Sequence, residues 1–306
     1  MKLSDYQAQA LLTDKMPVSQ GTADDAAHLV PMLGLAGEAG QLLAEYKKWL
    51  RDGPGHVLFV DRVAEELGDI LWYVANLASK YDLNLDEVAQ QNLRKVSDLH
   101  GRANSADPLD AAYKETERLP RQFVITFWEI REGSQVQVRT EINGRLIGAA
   151  LTDNAYNDDG YRFHDIFHVA YAAILGWSPV LRGLLRLKRR SVPLIDEVED
   201  GGRAAVIEEG IAAVAFDYAR RHKYLEAVTD VDDSLLSTLR GMSEHLEVSA
   251  QPMSYWRKAV LDGFTVWREL VKHGGGRVSA DLDKREILYL GPADNATTTA
   301  AALASE

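Results

Sequence analysis

The chain contains no cysteine. Disulfides, thiolate nucleophiles and cysteine-based zinc sites are therefore excluded. Positive charge is also short. Lys and Arg number 34 against 46 Asp and Glu, a formal net charge of −12. That deficit leaves no basic footprint for general nucleic-acid binding. It does not exclude nucleotides, because acids hold a Mg²⁺-nucleotide through the metal. No apolar run is long enough to span a bilayer, so no membrane association is expected. Residues Met1 to Lys15 lack the apolar core of a secretory leader. Together with the missing cysteine, this gives a cytoplasmic protein as the expectation. Hydrophobic residues make up 46% and charged residues 26% of the 306, ordinary values for a globular protein with room for two domains.

The pattern along the chain predicts a mainly α protein. Ser4 reads as the N-cap of a first helix reaching about Asp14. A second helix is expected from near Pro31 to Leu50, closed by Arg51-Asp52-Gly53-Pro54-Gly55. A third covers Phe59 to Lys80. Asn84 caps a fourth, with Asp86 and Glu87 in its first turn, ending near His100. Residues 103–120, with Asn104, Ser105, Asp107 and Pro108, read as a linker with a short helix around Ala112. Phe123 to Trp128, the alternating Val136 and Val138, and the Asn143-Gly144 turn then predict three antiparallel strands. Helices follow at about 161–175, 178–189, 203–223, 232–246 and 253–272. Gly274-Gly275-Gly276 ends the last of these, and a final hairpin turns around Asp283-Lys284. The expected architecture is an all-α bundle over 1–102 and an α-rich α+β domain with a small antiparallel sheet over 121–292. A disordered Ala/Thr-rich tail covers 293–306.

Two carboxylate clusters stand out on neighbouring helices. At 100° per residue, Glu38, Gln41, Glu45 and Lys48 share one stripe of the second helix. Glu66, Asp69, Tyr73 and Asn76 share one side of the third, and Glu65 points away. Antiparallel packing brings the two stripes together and gathers carboxylate oxygens around a hard cation, with a lysine beside them. Mg²⁺ suits that set when it stays partly hydrated and is shared with phosphates; Mn²⁺ is an alternative. Gly34, Gly37 and Gly40 recur along the second helix and suggest close helix approach.

The stretch Leu33-Gly34-Leu35-Ala36-Gly37-Glu38-Ala39-Gly40, then Lys47-Lys48, then Glu65-Glu66-Leu67-Gly68-Asp69-Ile70-Leu71-Trp72-Tyr73 resembles the MazG-type nucleotide pyrophosphohydrolases. Asn92-Leu93-Arg94-Lys95 adds to the resemblance. It covers about the first hundred residues. It implies an all-helical domain assembling as a homodimer or homotetramer, with Mg²⁺-dependent cleavage of nucleoside triphosphates to the monophosphate and pyrophosphate. It further implies Glu38, Glu66 and Asp69 as metal ligands and catalytic residues, and Lys48, Asn92 and Lys95 as phosphate contacts. Trp72 and Asn76 would touch base or sugar. The family pattern is ExxE, a spacer, then ExxD, and this chain departs from it at Gln41. An amide oxygen can ligate Mg²⁺ but brings no charge. Glu45, one turn on, is the available substitute, and Glu38 or Glu45 the candidate for orienting the attacking water. If neither restores the site, the alternative is a nucleotide-sensing regulatory protein with little turnover.

In the second domain, His164 and His168 lie at i,i+4, with Asp165 between them and Glu209 on a later helix. Two histidines and a carboxylate make either a transition-metal site or a satisfied polar network. This segment resembles the C-terminal domain attached to some MazG-type proteins. A basic run, Arg182, Arg186, Lys188, Arg189 and Arg190, precedes the acids Asp196, Glu197, Glu199 and Asp200 and reads as a solvated helix end facing an acidic loop.

Overall fold

A computed structural model describes residues 1–15, 24–100, 108–133 and 135–293. Asn104, Ser105 and Asp107 of the expected linker, and the expected tail from Asp294 on, lie outside the described residues. The chain forms two compact units, Met1–Ser97 and Asp98–Glu306.

The first unit is built from α1 (Leu3–Leu12), α2 (Asp24–Asp52), α3 (Phe59–Lys80) and all but the last residues of α4 (Leu85–His100). Ser4 is not the cap of α1. Lys2 holds that position, its amide donates to Asp5 at 3.1 Å, and the Ser4 hydroxyl donates to Asp86 instead. The second helix starts earlier than expected, so Pro31 lies inside it, where it removes one amide donor without ending the helix. A turn at Gly53–Gly55 reverses the chain into α3. Contacts between α2 and α3 then run in opposite order: Gly34 meets Tyr73, Glu38 meets Glu66 and Asp69, and Trp49 meets Phe59. This is the antiparallel hairpin that the site needs. The Asn84 side chain accepts from the amides of Asp86 and Glu87 at 2.8 and 3.4 Å and starts α4.

The glycines of α2 divide by environment. A Cβ on Gly34 would come within 2.3 Å of the Tyr73 ring, whereas Gly37 and Gly40 have nothing within 4 Å. Only Gly34 therefore serves close helix approach within the chain. Gly34→Ala is expected to destabilise the unit, because overpacking typically costs ~1–3 kcal/mol and exceeds the helix propensity gained. Gly40→Ala meets no such clash and should gain up to ~1 kcal/mol. Urea unfolding of the two variants reads the opposite signs.

The second unit opens with β1 (Gln122–Glu132), β2 (Gln135–Ile142) and β3 (Arg145–Leu151) and closes with β4 (Gly275–Asp281) and β5 (Glu286–Gly291). All pairings are antiparallel and the sheet order is β3-β2-β1-β4-β5. Asn143 and Gly144 both take positive φ, 53° and 74°, as the tight hairpin between β2 and β3 requires. Phe123, Ile125 and Phe127 alternate onto the buried face of β1. Between the two strand groups lie α5 (Asp165–Ala170), α6 (Pro179–Leu185), α7 (Pro193–Val198), α8 (Gly202–Arg221), α9 (Asp233–Met242) and α10 (Met253–His273). Phe167, Phe216, Phe264 and Trp267 form the aromatic centre of their core.

Three helix expectations need correction. The 161–175 segment is not one α-helix. It is a 3₁₀ turn at Tyr161–Phe163, then α5, then a π-helical stretch at Tyr171–Leu175. The helix begun at 178 stops at Leu185, because Arg186 adopts φ 59°. The short α7, started by Pro193, was not foreseen.

The basic run is not a solvated helix end. Arg182 and Arg189 are 1% and 0% exposed. Arg189 forks onto Asp200 with contacts of 2.8 and 3.1 Å and reaches Glu247 at 2.6 Å. Arg182 binds Asp110 at 2.8 Å and the Glu117 carbonyl at 2.8 Å. Asp110 also takes Arg121 and the Leu119 amide. Burial raises the Asp110 carboxyl, but the Leu119 amide and the two arginines outweigh it and hold it below the usual range. From Pro108 on, then, the expected linker is tied into the second unit rather than free. Arg186 and Arg190 of the same run are exposed.

Candidate active site

Glu38 comes from the middle of α2, and Glu66 and Asp69 from the facing turns of α3. Each offers a carboxylate oxygen, and the three oxygens lie within 4.8 Å of one another. Glu66 is buried, at 8% exposure. Its pKa is raised, first by loss of water and then by the charges of Glu38 and Asp69. Among the described residues, no lysine, arginine or histidine forms an ion pair with any of the three. Three acids that repel one another on a half-dry surface fit a hard divalent cation, which would reverse the sign of the local field.

The remaining residues of the two stripes divide. Gln41 donates its amide to Glu38 at 2.8 Å, so it steadies that carboxylate. Glu45 is not gathered with the acids. It pairs with Lys48 and with His56, the latter at 2.9 Å, and these two hold its carboxyl below the usual range. Glu45 therefore has two cationic partners, which Glu38, Glu66 and Asp69 do not have among the described residues. Glu65 pairs outward with Arg62, as its direction on the helix implied. Trp72 turns toward α1, donating to Thr13 at 2.8 Å and packing on the small core of Ala10, Ala75, Ala78 and Leu85. Asn92 and Lys95 are exposed on α4.

Asn76 is 1% exposed, and neither atom of its amide has a hydrogen-bond partner. It continues the Glu66–Asp69–Tyr73 stripe of α3. A buried amide left unpaired costs ~1–3 kcal/mol.

The sequence reading missed His56 and the rings around it. Trp49 stacks on Phe59 at 5.6 Å and on Tyr46 at 5.8 Å, and His56 lies 5.8 Å from Phe59. Tyr46 and Trp49 at i,i+3, with Phe59 just past the glycine turn, were the available signal. Tyr46 and Trp49 are half exposed, and such rings are suited to stacking a base.

A second group lies in the C-terminal unit. His164, His168 and Glu209 bring ligand atoms within 4.8 Å of one another. Asp165 stands beside them, 3.8 Å from His164, with its other oxygen accepting from Thr140 at 3.3 Å. Burial lowers the His168 pKa, but Glu208 and then Glu209 overcome it, and the imidazole is pushed up to about 10. Tyr161, stacked on His164 at 4.5 Å, is pushed up to about 12 by burial and by Glu209.

Among known proteins, the Gene 37 protein of Mycobacterium phage L5 is 46% identical over 66 residues, 21% of this chain. The chain spans 58% of the length of that relative. No solved structure matches the chain. Residues 28–102 match the MazG nucleotide pyrophosphohydrolase domain, and residues 104–293 match the MazG C-terminal domain. With the α2–α3 acid site inside the first match and the α+β unit filling the second, the chain belongs to the MazG family.

Proposed function

We propose that the N-terminal unit cleaves nucleoside triphosphates, ribo or deoxy, to the monophosphate and pyrophosphate, and so cleans or controls a nucleotide pool. One observation carries this reading: Glu38, Glu66 and Asp69 converge within 4.8 Å, and among the described residues no cationic side chain is paired to them. These three would hold Mg²⁺ or Mn²⁺. The bound ion supplies charge neutralisation at the phosphates and lowers the pKa of a coordinated water. Glu38, fixed by Gln41, orients the attacking water and takes its proton. The water oxygen bonds to the α-phosphorus, and the bond from that phosphorus to the bridging oxygen breaks, releasing pyrophosphate. Lys48, with Asn92 and Lys95 on α4, meets the phosphate oxygens. Asn76 offers an amide to the sugar or base.

This role for Asn76 predicts a trade. Asn76→Leu removes two unpaired buried polar atoms at similar volume, so the unit should unfold at a higher temperature while KM for nucleotide rises. Calorimetry and steady-state kinetics on one preparation test both halves.

The first unit leaves Leu33, Leu43 and Val60 63%, 69% and 74% exposed. Faces of this kind are covered in a stable protein, and we assign the cover to further copies of the chain, as a dimer or tetramer. Sedimentation equilibrium checks it. No helix among the described residues is long and apolar enough to cross a membrane, and a chain without cysteine suits a reducing cytoplasm.

The uncharged Gln41 favours a second reading, in which the unit binds nucleotide as a sensor with little turnover. Pyrophosphate release across a panel of NTPs and dNTPs, with Mg²⁺ or Mn²⁺, separates the two. Turnover with any of them supports the enzyme; tight binding without turnover supports the sensor.

A further inference from the structure

The C-terminal unit contains a ligand set that the pyrophosphohydrolase reading does not use. His164 immediately precedes α5, and His168 follows one turn later on the same side. His164 Nδ1 lies 2.9 Å from the Tyr161 carbonyl oxygen. A carbonyl only accepts, so that nitrogen carries the proton and Nε2 is left with its lone pair. His168 Nδ1 lies 2.9 Å from a Glu208 oxygen and donates to it. Glu208 is itself fixed by the Ser178 hydroxyl at 2.6 Å and the Val180 amide at 2.8 Å, at 0% exposure. Both imidazoles are thus oriented from behind, by a carbonyl and by a carboxylate. This is the outer-shell arrangement that fixes metal-binding histidines.

The front of the site is equally specific. His168 is 1% exposed, and its Nε2 has no hydrogen-bond partner. Glu209, the next residue after Glu208 on α8, brings one oxygen 3.4 Å from His168 Nε2 and the other 3.8 Å from His164 Nε2. Ligand atoms around a tetrahedral ion with bonds of ~2.0–2.1 Å stand about 3.3 Å apart. The three ligand atoms already lie within 4.8 Å of one another, so rotamer adjustment of these side chains draws them onto one centre. The π-helical stretch that follows α5 is a feature frequent at functional sites.

We propose that His164, His168 and Glu209 bind one divalent first-row transition-metal ion, with Glu208 as the residue that positions His168. Two imidazole nitrogens and one carboxylate select Zn²⁺, Co²⁺, Mn²⁺ or Fe²⁺ over Mg²⁺. The site therefore differs in chemistry from the all-oxygen group of the N-terminal unit. The Glu209 side chain is 46% exposed, so solvent reaches the ion on that side. Three protein ligands with an open face leave a position for water or a substrate oxygen, the form taken by catalytic rather than closed structural sites.

The test is Co²⁺ retention by the full chain after dialysis, read by elemental analysis and by the visible d–d absorption of the ion. The chain with Glu66→Gln and Asp69→Asn, which lacks the N-terminal acid site, is the reference. It is expected to keep one equivalent of Co²⁺ with the intense spectrum of low-coordinate cobalt. Adding His164→Ala or Glu209→Ala should remove that equivalent and the spectrum. Adding Glu208→Gln should weaken binding about 10–100-fold, the effect usual for an outer-shell partner. Glu209 is half exposed, so its variant keeps the test valid if a histidine variant fails to fold. Equal Co²⁺ retention with and without Glu209→Ala, or no Co²⁺ retained by the reference, would overturn the proposal. His168 would then be an imidazolium clamped between Glu208 and Glu209.

Discussion

Glu66→Gln is expected to lower pyrophosphate release about 10²–10³-fold, the order of loss seen when one charged contact to a transition state is removed. The same change should stabilise the metal-free protein at neutral pH. The folded-state pKa of Glu66 is raised, by burial first and by Glu38 and Asp69 next. A carboxyl raised on folding binds its proton more tightly in the folded chain. Its cost to stability is absent below the unfolded value of about 4.3 and fully present above the raised folded value. Glutamine cannot ionise and carries no such cost. The variant should therefore melt higher than the parent in chelator at pH 7, and the gap should close as pH falls toward 4. Added Mg²⁺ should raise the melting point of the parent but hardly that of the variant. A variant that keeps its turnover, or that melts lower in chelator at pH 7, would show that Glu66 is not part of a cation site.

Asp200→Ala is expected to destabilise the C-terminal unit by ~3–5 kcal/mol, the range for breaking a buried ion pair and leaving its partner charged. Asp200 accepts two contacts from the Arg189 guanidinium and one from its amide, and stands 3.7 Å from Arg182 Nε. Among the described residues, alanine leaves the Arg189 guanidinium with Glu247 as its one carboxylate and with the Tyr113 ring, in a place where water cannot follow. For a unit of this size the loss should lower the melting temperature by roughly 6–20 °C. Arg190→Ala, an exposed member of the same basic run, should stay within ~0.5 kcal/mol of the parent. Parallel calorimetric scans of the two variants test the contrast. Similar small effects would mean that the network is wetter than its burial indicates.

The two cases also show what the sequence carried. Helix period and breaker residues located α3, the β1–β2–β3 meander and the final hairpin, because each is written locally in turn chemistry and apolar spacing. The acid triplet was legible because Glu38, Glu66 and Asp69 project from two stripes that a single glycine turn folds together. The pairing of Glu45 was not legible, since a stripe gives direction but not partners, and its partner His56 lies in the turn, off any period. Arg182 and Arg189 looked like solvent-facing charges because Asp110, 72 residues before Arg182, and Glu247, 58 residues after Arg189, complete their pairing. No local pattern reports contacts over such separations. The π-helical stretch after α5 and the short α7 escaped for a similar reason, because packing decides them rather than propensity.

The sheet order has a consequence for how the chain is made. Strand β1 pairs with β2 at once, but its other edge waits for β4, where Gln122 faces Asp281 and Phe127 faces Gly276. At translation rates of 5–20 residues per second, roughly 8–30 s separate the synthesis of those two edges. The α2–α3 hairpin, closed through a short turn, has no such delay. During that interval an apolar strand edge stands open on the ribosome. The nascent C-terminal unit is then an invitation to strand-to-strand aggregation, and a client for any chaperone that reaches it before α10 and β4 emerge.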